Sequence, residues 1–277
     1  PRPSHSARSG DRSYACVVPS LTPRIEVVAH RGASSDEPEH SLAAYLLAIE
    51  QGADAIECDV RLTADGNLVC VHDRRVDRTS NGRGTVSGQT LAQLSAFDYS
   101  RNDDTWLDFE DPHPDETRTS VLTLHTLLAA TLAASSTLRF AIETKHPTRY
   151  GRYVEDALIE VLRRFGLTTG AGAERVRVMS FSRTAVRYAR ELAPALGGVY
   201  LMDEVPRRYR DGSLPTGAGI AGPGIHILRA YPEYVAKVHA AGNRVHVWTV
   251  DEPADVDLCV RLGVDAIITN RPAAVLS

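Results

Sequence analysis

The apolar residues of the chain change their period along the sequence, from the alternation typical of strands to the three- and four-residue spacing typical of helices. Short apolar stretches with strand character recur through most of the length. They cover residues 24–30, 55–62, 138–145, 175–181, 195–202, 219–227, 244–250 and 264–269. A further extended stretch, residues 67–72, follows the turn signal Asp65-Gly66 and is expected to fold back on the second strand.

Helical patterns fill most of the intervals between these strands. They cover residues 42–51, 150–165, 183–192, 232–241 and 254–262. Strands that alternate with helices imply parallel βαβ units, and eight such units close into a barrel. We therefore predict an α/β fold, a (β/α)8 barrel of the TIM type, for residues 25–277.

Two segments depart from this rhythm. Residues 1–24 are rich in Ser, Arg and Pro and lack an apolar period, so we expect a disordered arm or a remnant of cloning. Residues 74–120 are rich in Gly and Asp and hold one short helical pattern, at residues 90–97. We interpret them as a small insertion after the second strand that passes over the barrel mouth.

Composition narrows the classes of function. Of the 277 residues, 43% are apolar, which is enough for one large core. The net charge is −4 and the basic residues are scattered, so neither nucleic acid nor an anionic membrane is an expected partner. No apolar run is long enough to cross a bilayer. We expect a soluble protein, with the cytoplasm favoured and secretion after signal removal as the alternative; the oligomeric state is left open.

Acidic side chains mark the inner face of two predicted strands. Along residues 55–60, Glu57 and Asp59 share one face and apolar residues share the other. Along residues 140–145, Glu143 and Lys145 follow the same alternation. Three converging carboxylates beside one lysine need a cation, and their oxygen atoms suit Mg²⁺ or Ca²⁺, with Mn²⁺ also possible. The alternative is a structural salt-bridge network around Lys145.

Two histidines end extended segments at the same predicted mouth of the barrel. His30 closes the first strand and His72 closes the fold-back after the second. Barrel enzymes place their chemistry at this end, and two facing imidazoles can divide proton transfers between a nucleophile and a leaving group. Arg31, next to His30, offers a fork of donors for phosphate oxygens. As an alternative, either histidine could be a metal ligand.

Together these motifs resemble the glycerophosphodiester phosphodiesterase family. The resemblance runs from residue 25 to 277, and its first half is very specific. It is carried by His30-Arg31-Gly32, Pro38-Glu39, residues 52–60, Asp65-Gly66, His72-Asp73, Asp77-Arg78-Thr79, Gly82 to Gly84, Glu143-Thr144-Lys145, residues 247–250 and residues 269–272.

The resemblance implies a role for each matching residue. It makes His30 and His72 the acid–base pair and implies a divalent metal ion bound by the three carboxylates. It makes Arg31 and Lys145 phosphate ligands and gives Trp248 a place in the substrate pocket. It also implies a (β/α)8 barrel with an insertion at residues 74–120.

Two positions depart from the family pattern. His40 stands where the family usually has Asn, and Asn270 stands where it usually has Asp. We expect neither change to touch the acid–base pair or the metal ligands.

The predicted reaction is metal-dependent hydrolysis of a small glycerophosphodiester to glycerol 3-phosphate and an alcohol. Which histidine is the base, and whether water attacks directly or a cyclic phosphate forms first, is left open. A second hypothesis is a lysophospholipase D or sphingomyelinase D-like activity on lipids. It needs an apolar surface, for which the insertion offers Phe97, Tyr99, Trp106, Leu107 and Phe109. A third is a non-catalytic barrel that binds phosphorylated ligands.

Overall fold

The computed structural model of the chain describes residues 24–100 and 115–277. Residues 1–23 of the predicted arm lie outside these ranges, and so do residues 101–114 of the predicted insertion, with Trp106, Leu107 and Phe109.

Eight parallel strands close into a barrel, and a ninth, antiparallel strand extends it. The strands in the described ranges are β1 (Glu26–His30), β2 (Ala55–Leu62), β3 (Leu68–Cys70), β4 (Arg139–Thr144), β5 (Val176–Ser180), β6 (Gly197–Met202), β7 (Ile220–Pro223), β8 (Arg244–Val247) and β9 (Ala266–Thr269). The order around the barrel is β1-β2-β4-β5-β6-β7-β8-β9, and β9 pairs with β1. The predicted (β/α)8 barrel is confirmed. The predicted fold-back is β3, which pairs antiparallel with β2.

Helices connect the strands on the outside of the barrel. They are α1 (Leu42–Glu50), α2 (Leu91–Leu94), α3 (Glu116–Thr119), α4 (Leu124–Ala134), α5 (Tyr153–Arg164), α6 (Gly170–Glu174), α7 (Arg183–Leu192), α8 (Ile225–Ala230), α9 (Tyr234–Ala240), α10 (Pro253–Leu262) and α11 (Pro272–Leu276). Ser41 caps α1 by accepting a hydrogen bond from the backbone N–H of Ala44. None of these helices has the length and apolar character needed to span a bilayer.

Two local predictions differ from the structure. The strand predicted at residues 219–227 ends at Pro223, and Ile225–Ala230 is helical instead. A short apolar run does not distinguish a buried strand from a buried helix, which explains the error. Helix α4 was not predicted, although Leu124, Leu127 and Leu128 have helical spacing and are fully buried.

The outer and inner faces of the barrel sheet pack into two different parts of the hydrophobic core. Ile56, Cys58 and Phe140 belong to the core between the sheet and the helices. Ala55 and Ala141, at alternate positions of the same two strands, belong to the core inside the barrel. The alternation predicted for β2 and β4 is therefore present, and it directs their acidic side chains inward.

An ion cluster closes the N-terminal end of the barrel. The Glu26 carboxylate accepts hydrogen bonds from Arg177 Nη1 at 2.7 Å and from Arg139 Nη1 at 2.9 Å. Burial alone would raise the pKa of Glu26, but the hydrogen bond and charge of Arg177 bring it below its ordinary value. In barrels of this type the N-terminal end contributes to stability, and the active site lies at the C-terminal end.

Candidate active site at the barrel mouth

Three carboxylates converge at the C-terminal mouth of the barrel. Asp59 on β2 stands beside Glu143 on β4 in the parallel register, and Glu57 lies one inward position deeper. One carboxylate oxygen of each lies within 4.8 Å of the others, and all three side chains are buried. Strand alternation and barrel pairing together bring these residues to one place.

Two cationic side chains contact this group. Lys145 Nζ lies 3.2 Å from Asp59 Oδ1 and 2.9 Å from Glu143 Oε1. Arg31 Nε lies 3.2 Å from Asp59 Oδ2, and the backbone N–H of Arg31 donates to Glu57 Oε2 at 3.1 Å. The salt-bridge network considered from the sequence is therefore present around Lys145.

These cations do not fully compensate the buried negative charge. Burial and the neighbouring Asp59 raise the pKa of Glu143 to about 8 and hold the pKa of Glu57 well above its ordinary value. Burial would also raise the pKa of Asp59, but the hydrogen bond from His40 and the charge of Lys145 hold it well below its usual range. Carboxylates that resist ionisation for lack of positive charge form a donor set that fits a divalent cation.

His30 ends β1 at the edge of the carboxylate group. Its Nε2 lies 4.0 Å from Glu57 Oε2, and its Nδ1 lies 2.7 Å from Asn270 Oδ1. Burial and the adjacent charge of Arg31 lower the pKa of His30 to about 4. The imidazole is therefore neutral at physiological pH.

His72 follows β3, and its partner is a carboxylate where the partner of His30 is a neutral amide. Its Nδ1 lies 2.7 Å from Asp73 Oδ1, and Asp73 Oδ2 accepts a hydrogen bond from Arg78 Nε at 2.7 Å. Arg61 donates to the backbone carbonyl of His72 through Nε and Nη2, which fixes the loop after β3. Burial lowers the pKa of His72, and the negative charges of Asp59 and Asp73 oppose this change.

Both imidazoles open onto one cavity of about 380 Å³. Seven of the eight residues singled out from the sequence line it, and Asp59 lies directly behind them in contact with Lys145. The seven are His30, Arg31, Glu57, His72, Glu143, Lys145 and Trp248.

An aromatic pair forms one wall of this cavity. The Trp248 Nε1–H donates to the carbonyl of Gly222 at 2.7 Å, so the indole offers ring surface and no free donor. Phe181 packs against Trp248 edge to face, with 5.5 Å between ring centroids, and remains 42% exposed. Phe181 was not among the residues predicted from the sequence to form the site, although it continues the inward alternation of β5.

Comparisons with known proteins identify the family of the chain. Residues 30–274 match the model of the "Glycerophosphoryl diester phosphodiesterase family". The chain belongs to this family. It is therefore a phosphoric diester hydrolase of the glycerophosphodiester phosphodiesterase type.

Relatives and solved structures cover nearly the whole length. The chain is 49% identical to a "Probable glycerophosphodiester phosphodiesterase 1" of Mycobacterium tuberculosis (strain ATCC 25618 / H37Rv), over 89% of each chain. It is 32% identical to a "Glycerophosphodiester phosphodiesterase" of Caldanaerobacter subterraneus subsp. tengcongensis, over 91% of this chain and 96% of the relative.

Among solved structures, a "Putative glycerophosphoryl diester phosphodiesterase" from Silicibacter pomeroyi superposes with a TM-score of 0.78 at 25% identity, over 91% of each chain. An Oleispira antarctica phosphodiesterase in complex with the product sn-glycerol-3-phosphate has the same fold. Its TM-score is 0.73 at 21% identity, over 91% of this chain and 95% of that one.

The two departures from the family pattern lie inside the site, so the expectation that they would not touch it is wrong. His40 is buried, and its Nε2 lies 3.0 Å from Asp59 Oδ2. Asn270 is the partner of His30. The first contact arises because the chain after β1 turns back with φ +62° at His40. The second arises because the pairing of β1 with β9 brings together residues that are distant in sequence.

Glu39, for which no role was predicted, contacts two arginines at the edge of the site. Glu39 Oε1 lies 3.2 Å from Arg31 Nη1, and both Glu39 oxygens accept from the guanidinium of Arg78 at 2.7 Å. Arg78 in turn holds Asp73, the partner of His72. The signal available in the sequence was the occurrence of Glu39, Asp73 and Arg78 within the motifs that carry the family resemblance.

Proposed function

We propose that this protein hydrolyses glycerophosphodiesters to glycerol 3-phosphate and an alcohol, with His30 and His72 as the acid–base pair. The observation that carries the proposal is the cavity itself. Two imidazoles with different partners open onto the same space as two buried carboxylates and two cationic side chains, and the third carboxylate, Asp59, contacts both cations from behind the cavity lining.

Glu57, Asp59 and Glu143 are the proposed ligands of one divalent cation, Mg²⁺ or Ca²⁺, with Mn²⁺ also suitable. Their all-oxygen donor set and the raised pKa values of Glu57 and Glu143 support this assignment. When bound, the ion supplies positive charge and Lewis acidity to a phosphate oxygen.

Arg31 and Lys145 are the proposed phosphate ligands. Both line the cavity, and both are held by carboxylates, Arg31 by Glu39 and Asp59, and Lys145 by Asp59 and Glu143. Fixed donors of this kind stabilise charge that develops on the phosphate without reorganising during the reaction. Their neighbours also keep them cationic, because Asp59 raises the pKa of each against the effect of burial.

The partners of the two histidines suggest how proton transfer is divided. His30 faces a neutral amide and is neutral, so its free ring nitrogen is available to take a proton, and it is proposed as the base. His72 faces the carboxylate of Asp73, which stabilises the protonated imidazolium, so it is proposed as the acid that protonates the departing alcohol.

The proposed substrate is a small glycerophosphodiester. A phosphate would lie between Arg31 and Lys145, with the rings of Trp248 and Phe181 available to the carbon skeleton of the glycerol or the alcohol. The Oleispira antarctica relative of the same fold in complex with sn-glycerol-3-phosphate supports a product of this size.

The described part of the insertion does not favour the lipid hypothesis. Phe97 and Tyr99, two of the aromatic residues considered for a lipid surface, pack into a small core with Val71 and Leu94. These two side chains therefore stabilise the insertion against the barrel.

The proposal is tested by glycerol 3-phosphate release after EDTA treatment. Glycerophosphocholine, glycerophosphoethanolamine and lysophosphatidylcholine would be offered with Mg²⁺, Ca²⁺ or Mn²⁺ restored. We expect release from the first two substrates only when a metal is added. Cleavage of lysophosphatidylcholine gives lysophosphatidic acid and choline, so activity on the lipid is measured as choline release. Activity confined to the lipid would support the lysophospholipase D hypothesis instead.

Variants separate catalysis from binding alone. His30→Asn and His72→Asn each remove one imidazole, and loss of a general acid or base lowers the rate about 10²–10⁴-fold. His125→Asn, an exposed residue of α4, is the matched control and should retain full activity. Wild-type protein that is folded and binds glycerol 3-phosphate but never turns over would support the non-catalytic barrel.

A further inference from the structure

Behind His30, a chain of hydrogen bonds leads away from the cavity to a carboxylate. Asn270 Oδ1 lies 2.7 Å from His30 Nδ1, and Asn270 Nδ2 donates to Asp251 Oδ2 at 2.6 Å. We propose that Asn270 and Asp251 are positioning residues that lock His30 in one tautomer, with the proton on Nδ1 and the lone pair of Nε2 facing the cavity. The catalytic importance of this lock rests on the proposed role of His30 as base.

The direction of the Asn270 amide follows from the chemistry of Asp251. An ionised carboxylate only accepts hydrogen bonds, so the NH₂ group of Asn270 must face Asp251. The amide oxygen then faces His30, and it can only accept. A neutral His30 must therefore carry its hydrogen on Nδ1, which leaves Nε2 as the free acceptor on the side of Glu57.

Asp251 is itself held in place by the end of β9. Its Oδ1 accepts from the backbone N–H of Asn270 at 2.8 Å and from the hydroxyl of Thr269 at 3.0 Å. Its two oxygens thus have separate tasks, since Oδ1 holds the backbone and Oδ2 orients the Asn270 side chain. Ser34 Oγ, 2.8 Å from Asn270 Oδ1, reaches the same amide oxygen from the loop after β1.

This division of tasks makes Asp251→Asn an informative change. The new amide at position 251 would keep its oxygen toward the Thr269 hydroxyl and the backbone N–H of Asn270. The opposite orientation would place the NH₂ group of the new amide next to that backbone N–H, and two donors cannot form a hydrogen bond. Its NH₂ group would then meet the NH₂ group of Asn270. The Asn270 amide relieves this conflict by turning over, and its NH₂ group then donates to His30 Nδ1, which forces the proton to Nε2.

A second change should reverse the first. In Asp251→Asn/Asn270→Asp, the new carboxylate accepts from His30 Nδ1–H and from the NH₂ group at position 251. Every hydrogen bond of the chain is kept, and the carboxylate has moved one residue closer to the imidazole. Asn270→Asp alone would instead bring two carboxylates together where a 2.6 Å hydrogen bond now stands.

The experiment measures the tautomer and the rate separately. Long-range ¹H–¹⁵N spectra of histidine-labelled protein with Mg²⁺ report which ring nitrogen of His30 carries hydrogen, and His30→Asn assigns the signal. We expect Nδ1–H in the wild type, Nε2–H in Asp251→Asn, and Nδ1–H again in the double variant.

In the same proteins we expect the kcat for glycerophosphocholine to fall about 10²–10⁴-fold in Asp251→Asn, because His30 in the wrong tautomer cannot act as the base. We expect KM to change little. The double variant should recover most of that loss. A residue that only stabilises the loop would lower the melting temperature without moving the proton or splitting kcat from KM.

The inference is overturned if His30 keeps Nδ1–H in Asp251→Asn, or if the folded double variant is as impaired as the single one. The proposed function has an independent criterion, since it fails if the wild type releases no glycerol 3-phosphate with any metal, whichever tautomer the spectra show.

Discussion

Lys145 contacts two of the proposed metal ligands, and its replacement should affect cation binding and turnover in opposite directions. The ammonium group lies 3.2 Å from Asp59 Oδ1 and 2.9 Å from Glu143 Oε1, and its side chain is only 11% exposed. A divalent cation bound to the same carboxylates must share or displace these contacts. Lys145→Met removes this competition with an apolar side chain of similar length.

The expected size of the effect follows from these contacts. A hydrogen bond to a charged group contributes about 1.5–3 kcal/mol. In Lys145→Met the contacts of the ammonium group with Asp59 and Glu143 are absent, so cation binding no longer has to disrupt them. Since about 1.4 kcal/mol is a factor of ten, the Kd for Ca²⁺ should tighten roughly 10- to 100-fold. Loss of a fixed donor to the phosphate should at the same time lower kcat about 10²–10³-fold.

Calorimetric titration with Ca²⁺ measures the first effect, and glycerol 3-phosphate release at saturating metal measures the second. The titration is best made somewhat above pH 8, because the pKa of Glu143 is raised to about 8 and protons compete with the cation below it. Lys237→Met is the matched control, since Lys237 is the only other lysine of the chain and is exposed on α9.

Weaker cation binding in Lys145→Met would refute this reasoning and show that the ammonium group orients the carboxylates for the metal. Unchanged turnover at saturating metal would remove Lys145 from the phosphate site.

Three further changes have expected outcomes. His40→Ala removes an outer partner of a proposed metal ligand and should weaken Ca²⁺ binding roughly 10- to 100-fold by calorimetry; unaltered affinity would contradict this. Phe181→Ala removes the ring that packs on Trp248 and should raise KM about tenfold with kcat nearly constant, as judged from steady-state kinetics, whereas a fall in kcat alone would count against a binding role. Glu26→Gln leaves the buried Arg177 without its carboxylate and should cost about 3–5 kcal/mol in denaturant unfolding at pH 7. Folding lowers the pKa of Glu26, so the difference in unfolding free energy between wild type and variant should be largest above the unfolded-state pKa of about 4.3. It should vanish as the pH falls through the folded-state pKa; a difference that stays constant into acid would disprove this linkage.

The inner face of the barrel could be predicted because strand geometry allows only two directions for a side chain. The alternation in β2 and β4 placed Glu57, Asp59, Glu143 and Lys145 on one side, and parallel pairing then brought them together. Helix α4 could have been predicted on the same grounds, since its buried leucines have helical spacing.

Contacts between loops could not be predicted in this way. His40 reaches Asp59 only because the chain after β1 adopts a left-handed turn, and Asn270 reaches His30 only because β9 closes the barrel against β1. Neither relation has a period or a fixed spacing in the sequence. The contacts by which His40 and Asn270 orient the proposed metal-binding and catalytic groups therefore emerged from the structure alone.

The most direct test of the proposed chemistry is ³¹P NMR of glycerophosphocholine incubated with metal-restored protein, comparing the wild type with His30→Asn. The substituted amide at position 30 can still donate to Asn270 but lacks the basic nitrogen that faces the cavity. We expect the wild type to convert the phosphodiester signal into that of glycerol 3-phosphate, and the variant to be slower by about 10²–10⁴-fold. Equal conversion by both proteins, or none by folded wild type with any metal, would contradict the account.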